Sequence, residues 1–160
     1  MKIENDLIFL KEKFINTNQF LIIIVGSPSS SKTTISNYIK NNTIEQVDDK
    51  KINSWVILDT KSFSKTYSAS IKKCVNKINE ELIYGNSVIV DGTNETKEIR
   101  SLYINIAKIY INIGILIIKS DISTKIAKHL NHMKIEISSN YNLEPVSSYI
   151  FSNYIKYFEE

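Results

Sequence analysis

The feature that most constrains the fold is an apolar run followed by a serine-rich loop and a helix-like segment. Residues 20–25, FLIIIV, are mostly β-branched and show no alternation of polar and apolar side chains. Such a run is typical of a strand that is buried on both faces of a parallel sheet. The loop GSPSSS occupies residues 26–31, and residues 33–42, TTISNYIKNN, have the pattern of a helix. Because parallel strands need long connections between them, this order predicts a fold of the α/β class.

The alternation of strand and helix continues along the chain. Further strands are predicted at residues 54–58, 87–90 and 113–119. Helices are predicted at residues 5–16, 62–84, 95–111 and 146–158, and from a cap at Asp121 or Ser123 to about residue 135. Thr93 or Asn94 is the predicted N-cap of the helix at 95–111. We expect residues 1–160 to form one domain, a three-layer sandwich whose central parallel sheet of four to five strands has helices on both faces.

Apolar side chains at helical spacing predict which helix faces are buried. The stripe of the helix at 62–84 consists of Cys74, Val75, Ile78 and Leu82. The stripe of the last helix consists of Ile150, Phe151, Tyr154, Ile155 and Phe158. We expect both stripes to belong to the core, and the aromatic residues of the second not to be a surface on which bases stack. Trp55, at the start of the second strand, is expected to pack in the core as well.

The composition bounds the class of protein and its compartment. A hydrophobic content of 42% and a charged content of 23% are typical of a globular protein. The net charge of +3 suits an anionic ligand but does not require nucleic acid. The single cysteine, Cys74, excludes a disulfide framework and a zinc site built on cysteines. Since the apolar runs are too short to span a bilayer, we expect a cytoplasmic protein without a membrane partner.

Residues 26–33 nearly match the pattern of a phosphate-binding loop, in which lysine and Ser or Thr follow two glycines. Ser31 stands where the second glycine is expected, and a glycine there would allow unusual φ values. In such loops backbone N–H groups surround phosphates at a helix N-terminus. Lys32 would reach the β- and γ-phosphates of ATP, and the Thr33 hydroxyl would hold Mg²⁺. The predicted nucleotide-binding residues are Gly26, Ser27, Ser29, Ser30, Ser31, Lys32, Thr33 and Thr34.

An alternative interpretation of the loop is a serine-rich helix cap beside an exposed lysine, without a ligand. The context favours the nucleotide site, because the loop follows a buried strand and precedes a helix. Serine is small, so we expect Ser31 to reduce nucleotide affinity and not to abolish it. In parallel sheets ligands bind at the carboxyl ends of the strands. Two other predicted strands end in Asp59 and Asp91, at the same edge as Gly26.

Four segments, in order, resemble the 5′-kinase domain of polynucleotide kinases, especially the kinase half of the eukaryotic-type phosphatase/kinase. The segments are GSPSSSKTT, VILDTKS, GNSVIVDGTNETKEIRSLY, and AKHLNHMKIE followed by PVSSYIFSNYIKYFEE. They correspond to the family's loop, its second strand with the catalytic aspartate, its Asp-x-Thr-Asn turn, and its lid and closing helices. The resemblance covers roughly residues 20–160 and implies a P-loop NTPase-like sandwich.

The resemblance implies roles for the strand-end carboxylates and for two lysines. Asp59 would be the general base for a 5′-hydroxyl, although it could also be a turn aspartate that caps a helix. Asp91 would orient Mg²⁺-bound water or a side chain of the acceptor site, or be a turn aspartate. Lys134 corresponds to the lid arginine of the family and would supply positive charge to the transferred phosphate. Lys61, or else Lys65, would replace the arginine that binds the acceptor phosphate.

The turn after Asp91 is the third part of the implied acceptor site. Thr93 and Asn94 complete the turn, and helix capping is compatible with that role. Arg100, the only arginine in the chain, would reach a phosphate or brace Asp91. A surface ion pair between Arg100 and Glu98 or a neighbouring acid is an equally good interpretation.

These expectations converge on an ATP- and Mg²⁺-dependent kinase for the 5′-hydroxyl ends of DNA or RNA. Any repair of 3′ ends would need a separate phosphatase or ligase partner. One alternative is a P-loop kinase whose acceptor is a small molecule or an aminoacyl-tRNA. The other is a degenerate, non-catalytic module that binds a nucleotide or nucleic acid. Ser31, the lysine in place of the lid arginine, and the short chain favour that last interpretation.

Overall fold

The computed structural model describes residue 17 and residues 19–42, 54–137 and 145–160. The strands are β1 (Gln19–Val25), β2 (Trp55–Asp59), β3 (Ser87–Asp91) and β4 (Ile113–Lys119). The helices are α1 (Lys32–Asn42), α2 (Tyr67–Ile83), α3 (Lys97–Ala107), α4 (Thr124–Ile137) and α5 (Ser148–Tyr157), with a 3₁₀ turn at Thr60–Ser62. The helix predicted at 5–16 lies outside the described residues. No helix within the described ranges combines the length and the apolar character that a bilayer crossing requires.

The four strands form one sheet in the order β2-β3-β1-β4, and every neighbouring pair is parallel. The predicted α/β class and parallel sheet are therefore confirmed. Asp91 is in register with Ile24 of β1 and with Asp59 of β2. The carboxyl ends of these three strands are consequently level with one another, and the residues that follow them meet at one edge of the sheet.

Helices cover both faces of the sheet. Because successive side chains of a strand point to opposite sides, each strand contributes to two core clusters. Leu21 and Ile23 of β1 belong to a core cluster with side chains of α2 and α3. Ile22 and Ile24 belong to a second cluster with Ile39 of α1. Trp55 is buried in this second cluster and stacks on Phe20 at 6.0 Å between ring centroids. Cys74, Ile78 and Leu82 are buried, and Val75 is partly buried against them, as the stripe predicted.

Helices α2 and α3 begin later than predicted. Residues 60–62 form a 3₁₀ turn, in which the Asp59 carboxylate accepts a hydrogen bond from Lys61 N, and α2 begins only at Tyr67. Helix α3 begins at Lys97 and is capped by the Thr96 hydroxyl, which accepts a hydrogen bond from Ile99 N. Thr93 and Asn94 are therefore not its N-cap, and the φ of Asn94, 46°, places that residue outside helical geometry. The Ser123 cap of α4 is confirmed, since Ile126 N donates to its hydroxyl.

The prediction for the last helix was only partly right. Phe151 is 1% exposed, and Phe158 packs against the core. Ile150 and Ile155, however, are 43% and 56% exposed. The buried side of α5 runs through Phe151, Tyr154 and Phe158, which lie on one face at i, i+3 and i+7. The two isoleucines flank that narrow face and remain in contact with solvent.

Candidate nucleotide-binding site

The loop between β1 and α1 has an uncommon backbone conformation. Ser29 and Ser31 have φ values of 57° and 62°, in the left-handed region that favours glycine. Ser31 thus adopts the kind of φ that the glycine of the loop pattern would allow. A non-glycine residue in this region costs roughly 1–2 kcal/mol, and such strain concentrates at binding and active sites. Gly26 has no room for a side chain, because a Cβ there would lie 2.7 Å from Ser30 Oγ.

The loop is held in place by the ends of neighbouring strands. Ser120, which directly follows β4, donates its hydroxyl to Ser30 O at 2.5 Å. Its own N–H donates to Val25 O at 2.7 Å, and Gly26 N donates to Thr93 O at 3.3 Å. Sequence reasoning missed Ser120, although its position after a strand was the signal that identified Asp59 and Asp91.

Lys32 is folded into the loop. Its Nζ donates to Ser27 O at 2.6 Å, and the residue is 9% exposed. The lysine is therefore not exposed, contrary to that part of the alternative interpretation of the loop. Burial lowers the pKa of Lys32 to about 8, and repulsion from Lys61 and Lys134 adds to this against the attraction of Asp91. This arrangement concentrates positive charge where an anionic ligand would enter.

Thr33 and Asp91 form the part of the site that suits a metal ion. The Thr33 hydroxyl donates to Asp91 Oδ2 at 2.7 Å, and Asp91 is 5% exposed. In P-loop proteins a loop Ser or Thr and a strand-end aspartate hold Mg²⁺ together. Mg²⁺ takes one or two carboxylates and completes its shell with phosphate and water oxygens. The oxygen atoms of Thr33 and Asp91 fit Mg²⁺ that is bound together with a nucleotide. The described residues contain no group of three or more His, Cys, Asp or Glu side chains that could hold a metal ion.

A pocket of about 180 Å³ opens between the loop, the ends of β2 and β3, and α4. It brings together ten of the predicted site residues. Four are the loop residues Ser29, Ser30, Ser31 and Thr34, and the other six are Lys32, Thr33, Asp59, Lys61, Asp91 and Lys134. Asp59 is exposed there, and one of its oxygens, Oδ1, accepts a hydrogen bond from Lys61 N at 2.9 Å. The carboxylate therefore caps the 3₁₀ turn, as the interpretation of a turn aspartate expected, and it also lines the pocket. The role of general base stays a prediction. Lys134 approaches from the last turn of α4.

The remaining loop residues divide between the pocket and the core beneath it. Ser29, Ser30, Ser31 and Thr34 line the pocket together with Lys32 and Thr33. Gly26 and Ser27 are buried below them and carry the bend of the backbone.

Three residues of the implied acceptor site do not line the pocket. Thr93 donates its hydroxyl to Glu95, and Asn94, 1% exposed, donates its Nδ2 to Ile24 O at 2.8 Å. The predictions for Arg100 were wrong. Its side chain contacts neither the pocket nor Asp91, and it forms no surface ion pair with Glu98. It is 6% exposed, and its guanidinium donates only to backbone carbonyls among the described contacts, those of Asn94, Glu95 and Glu159. These three side chains shape the turn and do not enter the pocket.

Two pocket residues escaped the sequence analysis. Gly92 follows Asp91, and a Cβ there would lie 2.5 Å from Thr60 Oγ1. Its place at a strand end, next to an aspartate already singled out, was a usable signal. Val146 enters the pocket from the residues before α5, and nothing in its local sequence indicated this.

Comparison with known proteins assigns this architecture to a family. Residues 20–160 match the sequence model of the family described as Chromatin associated protein KTI12. The chain belongs to the KTI12 family. The match begins within β1 and extends to the last residue, so it includes the loop, both strand-end aspartates, α4 and α5.

The relatives place this KTI12-family chain among the P-loop kinases. A bifunctional polynucleotide phosphatase/kinase of Schizosaccharomyces pombe is 33% identical over 115 residues, which are 71% of this chain and 24% of that protein. The chain spans between about a quarter and a third of the length of the curated relatives it matches. The predicted resemblance to the polynucleotide-kinase-like P-loop kinases is confirmed by these matches together with the family match.

Solved structures agree on the fold. Kti12 of Chaetomium thermophilum, in complex with ADP-AlF3, superposes with a TM-score of 0.65 at 19% identity, over 88% of this chain and 80% of that one. The Mycobacterium tuberculosis APS kinase CysC, in complex with AMPPNP and APS, gives a TM-score of 0.58 at 12% identity, over 78% and 75%. These similarities establish a P-loop kinase fold for the chain.

Proposed function

We propose that this chain transfers the γ-phosphate of ATP to the 5′-hydroxyl end of DNA or RNA. The observation that carries the proposal is the meeting of three groups in one pocket. These are the strained loop with Lys32, the Thr33–Asp91 pair, and the Asp59 carboxylate. A polynucleotide acceptor is supported by the relative named a bifunctional polynucleotide phosphatase/kinase.

Each group has a defined task in this proposal. The N–H groups of the loop and the Lys32 ammonium bind the β- and γ-phosphates. Mg²⁺ held at Thr33 and Asp91 would neutralise charge on those phosphates. Asp59 accepts the proton of the attacking hydroxyl through the carboxylate oxygen that Lys61 N does not occupy. Lys134 supplies positive charge to the phosphoryl group as it transfers.

A second candidate is a nucleotide-binding module that does not transfer phosphate. The observation that favours it concerns Arg100, the only arginine of the sequence. Its guanidinium donates to backbone carbonyls, and the positively charged side chains among the described pocket residues are Lys32, Lys61 and Lys134. A lysine provides charge but not the planar two-pronged contact that arginine makes with a phosphoryl group. The resulting stabilisation of the transfer step would be weaker.

The decisive experiment is transfer of labelled γ-phosphate from ATP, with Mg²⁺, to 5′-hydroxyl oligonucleotides of DNA and of RNA. The variants are Asp59→Asn and Lys32→Ala. The chain offers a matched control for each: Asp121→Asn, an exposed aspartate that follows β4, and Lys40→Ala, a lysine in the last turn of α1. Neither control residue lines the pocket.

We expect the wild type and both controls to label the oligonucleotides, and both site variants to lose at least about a hundredfold in rate. Retained activity in Asp59→Asn would remove Asp59 from the chemistry. ATP binding without any labelling would reject the polynucleotide acceptor. Small hydroxyl acceptors and an aminoacyl-tRNA, tried in the same assay, would then separate another kinase from a non-catalytic module.

A further inference from the structure

Asn131 lies on α4, outside the residues to which the proposed chemistry gives a task. It is a polar side chain that is only 6% exposed. Its Nδ2 donates to Val146 O at 2.9 Å, and its Oδ1 accepts from Val146 N at 3.0 Å. Oδ1 also accepts from the Ser29 hydroxyl at 3.3 Å, a long contact for a hydroxyl donor. One side chain thus joins α4, the residues before α5, and the phosphate-binding loop.

The paired contact with Val146 fixes the orientation of the amide. A flipped amide would set its NH₂ group against Val146 N–H and its oxygen against Val146 O, and both contacts would be repulsive. With Oδ1 toward the loop, the Ser29 hydroxyl has to act as the donor. The direction of the hydrogen bond between the loop and α4 is therefore determined.

All three contacts of Asn131 lead to the pocket. Ser29 is a loop residue with a strained φ of 57°, and Val146 lines the pocket wall. Lys134 is three residues after Asn131, on the same side of α4, and lines the pocket as well. A displacement of the loop at Ser29 would thus reach the helix one turn from Lys134.

We propose that Asn131 is a positioning residue that couples occupation of the phosphate-binding loop to the placement of Lys134 over the transferred phosphate. The inference rests on the proposed function, since it assumes that a nucleotide occupies the loop. When phosphates draw in the loop N–H groups, the Ser29 hydroxyl moves with its backbone. Asn131 transmits that movement to α4 and, through Val146, to the part of the pocket wall that Val146 forms.

The test uses Asn131→Leu, which keeps the approximate shape, removes the hydrogen bonds and adds no charge that would repel phosphate. Asn105→Leu, at an exposed asparagine of α3, is the matched control for the same change in a helix. Ser29→Ala removes the contact with the loop and leaves the Val146 pair intact. Backbone hydrogen exchange is followed with and without AMPPNP and Mg²⁺, and ATP-dependent transfer gives kcat and KM separately.

In the wild type and in Asn105→Leu, AMPPNP should slow exchange both in the loop, residues 26–36, and in α4, residues 124–137. In Asn131→Leu and Ser29→Ala we expect protection of the loop to remain and protection of α4 to be lost. The KM for ATP should change less than threefold, while kcat falls about tenfold, the factor that a loss of 1.36 kcal/mol of transition-state stabilisation gives. In free Ser29→Ala, the Val146 amide should exchange as in the wild type.

Protection of α4 that persists in Asn131→Leu would overturn the coupling, as would equal increases in KM and decreases in kcat. A drop in the unfolding temperature that accounts for the lost activity would assign Asn131 a purely structural role and also overturn it. Absence of protection in the wild-type loop would instead reject the nucleotide site itself, and the inference with it. The two failures are therefore distinguishable in one data set.

Discussion

At the level of single residues, the loop holds its conformation by tertiary contacts and not by residue choice. Glycine would adopt the φ of position 31 without strain, yet serine is present and has a φ of 62°. The Ser120 hydroxyl, bonded to Ser30 O, and Gly26, packed under Ser30, fix the loop from outside. The departure from the glycine pattern is thus compensated by residues that a motif search does not include.

Lys32 should make nucleotide binding depend on pH in a range where ordinary lysines do not titrate. Its pKa is lowered from 10.5 to about 8, chiefly by burial. Phosphates bind the protonated form, so ATP affinity should be nearly constant below about pH 7, halve by about pH 8 and fall about fivefold further between pH 8 and pH 9. Calorimetry at pH 8.5 in two buffers of different ionisation enthalpy should show proton uptake upon binding.

The control for this prediction is Lys32→Met, which should bind ATP weakly at every pH and take up no proton. The same pKa has a consequence for folding. Between pH 8 and pH 10.5 the unfolded chain holds a proton on Lys32 that the folded chain lacks, so the free energy of unfolding should rise with pH relative to Lys32→Met. A flat difference between the two proteins would contradict the lowered pKa.

At the level of secondary-structure elements, strand ends were easier to predict than helix starts. The end of a buried strand is visible as a change from apolar to polar residues, as at Asp59 and Asp91. The start of α3, in contrast, depends on which residue before Lys97 has a non-helical backbone and caps the helix. The side chain of Asn94 donates to the carbonyl of Ile24 in β1 and does not cap the helix. The N-cap is Thr96 instead. A local sequence pattern cannot show this hydrogen bond, because Asn94 and Ile24 are 70 residues apart in the sequence.

The contact between Gly92, after β3, and Thr60, in the 3₁₀ turn, should be sensitive to the addition of a single methyl group. In Gly92→Ala the new Cβ would meet Thr60 Oγ1 at 2.5 Å and Thr60 Cγ2 at 2.9 Å. Since Thr60 opens the 3₁₀ turn that carries Lys61 and follows Asp59, the turn has to shift. We expect a destabilisation of about 1–3 kcal/mol from overpacking, and a loss of ATP-dependent activity, measured by chemical denaturation and by the transfer assay.

The double variant Gly92→Ala/Thr60→Ala tests the stated cause. Removing both Thr60 atoms relieves the two shortest contacts and leaves only Asn94 Oδ1 at 3.1 Å, so the double variant should recover most of the stability lost in Gly92→Ala. Thr60→Ala alone supplies the baseline. Additive losses in the double variant would show that the clash with Thr60 is not the reason.

At the level of the whole molecule, Arg100 connects the site to the end of the described chain. Its three hydrogen bonds hold the carbonyls of Asn94 and Glu95 in the turn and that of Glu159 after α5. Glu159 in turn donates its N–H to Glu95 O, and its carboxylate accepts from Lys97 N at 2.7 Å. The turn beside the pocket and the segment after the last helix therefore form one hydrogen-bonded unit.

Replacing Arg100 by methionine should destabilise the fold by about 3 kcal/mol, because buried carbonyls lose charge-assisted donors and gain none. Thermal and denaturant unfolding would measure the loss. Lys108→Met, at the exposed C-cap of the same helix, is the matched control and should change stability by less than about 0.5 kcal/mol. A small effect of Arg100→Met would contradict a structural role and return Arg100 to consideration as a ligand-binding residue.

The sequence by itself determined the order of strands and helices, the buried strand β1, the loop, and the residues that end each strand. These depend on local pattern, and the parallel arrangement then brought Lys32, Thr33, Asp59 and Asp91 to one edge. The tertiary structure decided what Arg100, Asn94, Ser120 and Asn131 do. Each of these side chains bonds to backbone groups that are distant in the sequence. Because backbone carbonyls and N–H groups are the same at every position, the sequence contains no sign of which one a polar side chain will reach.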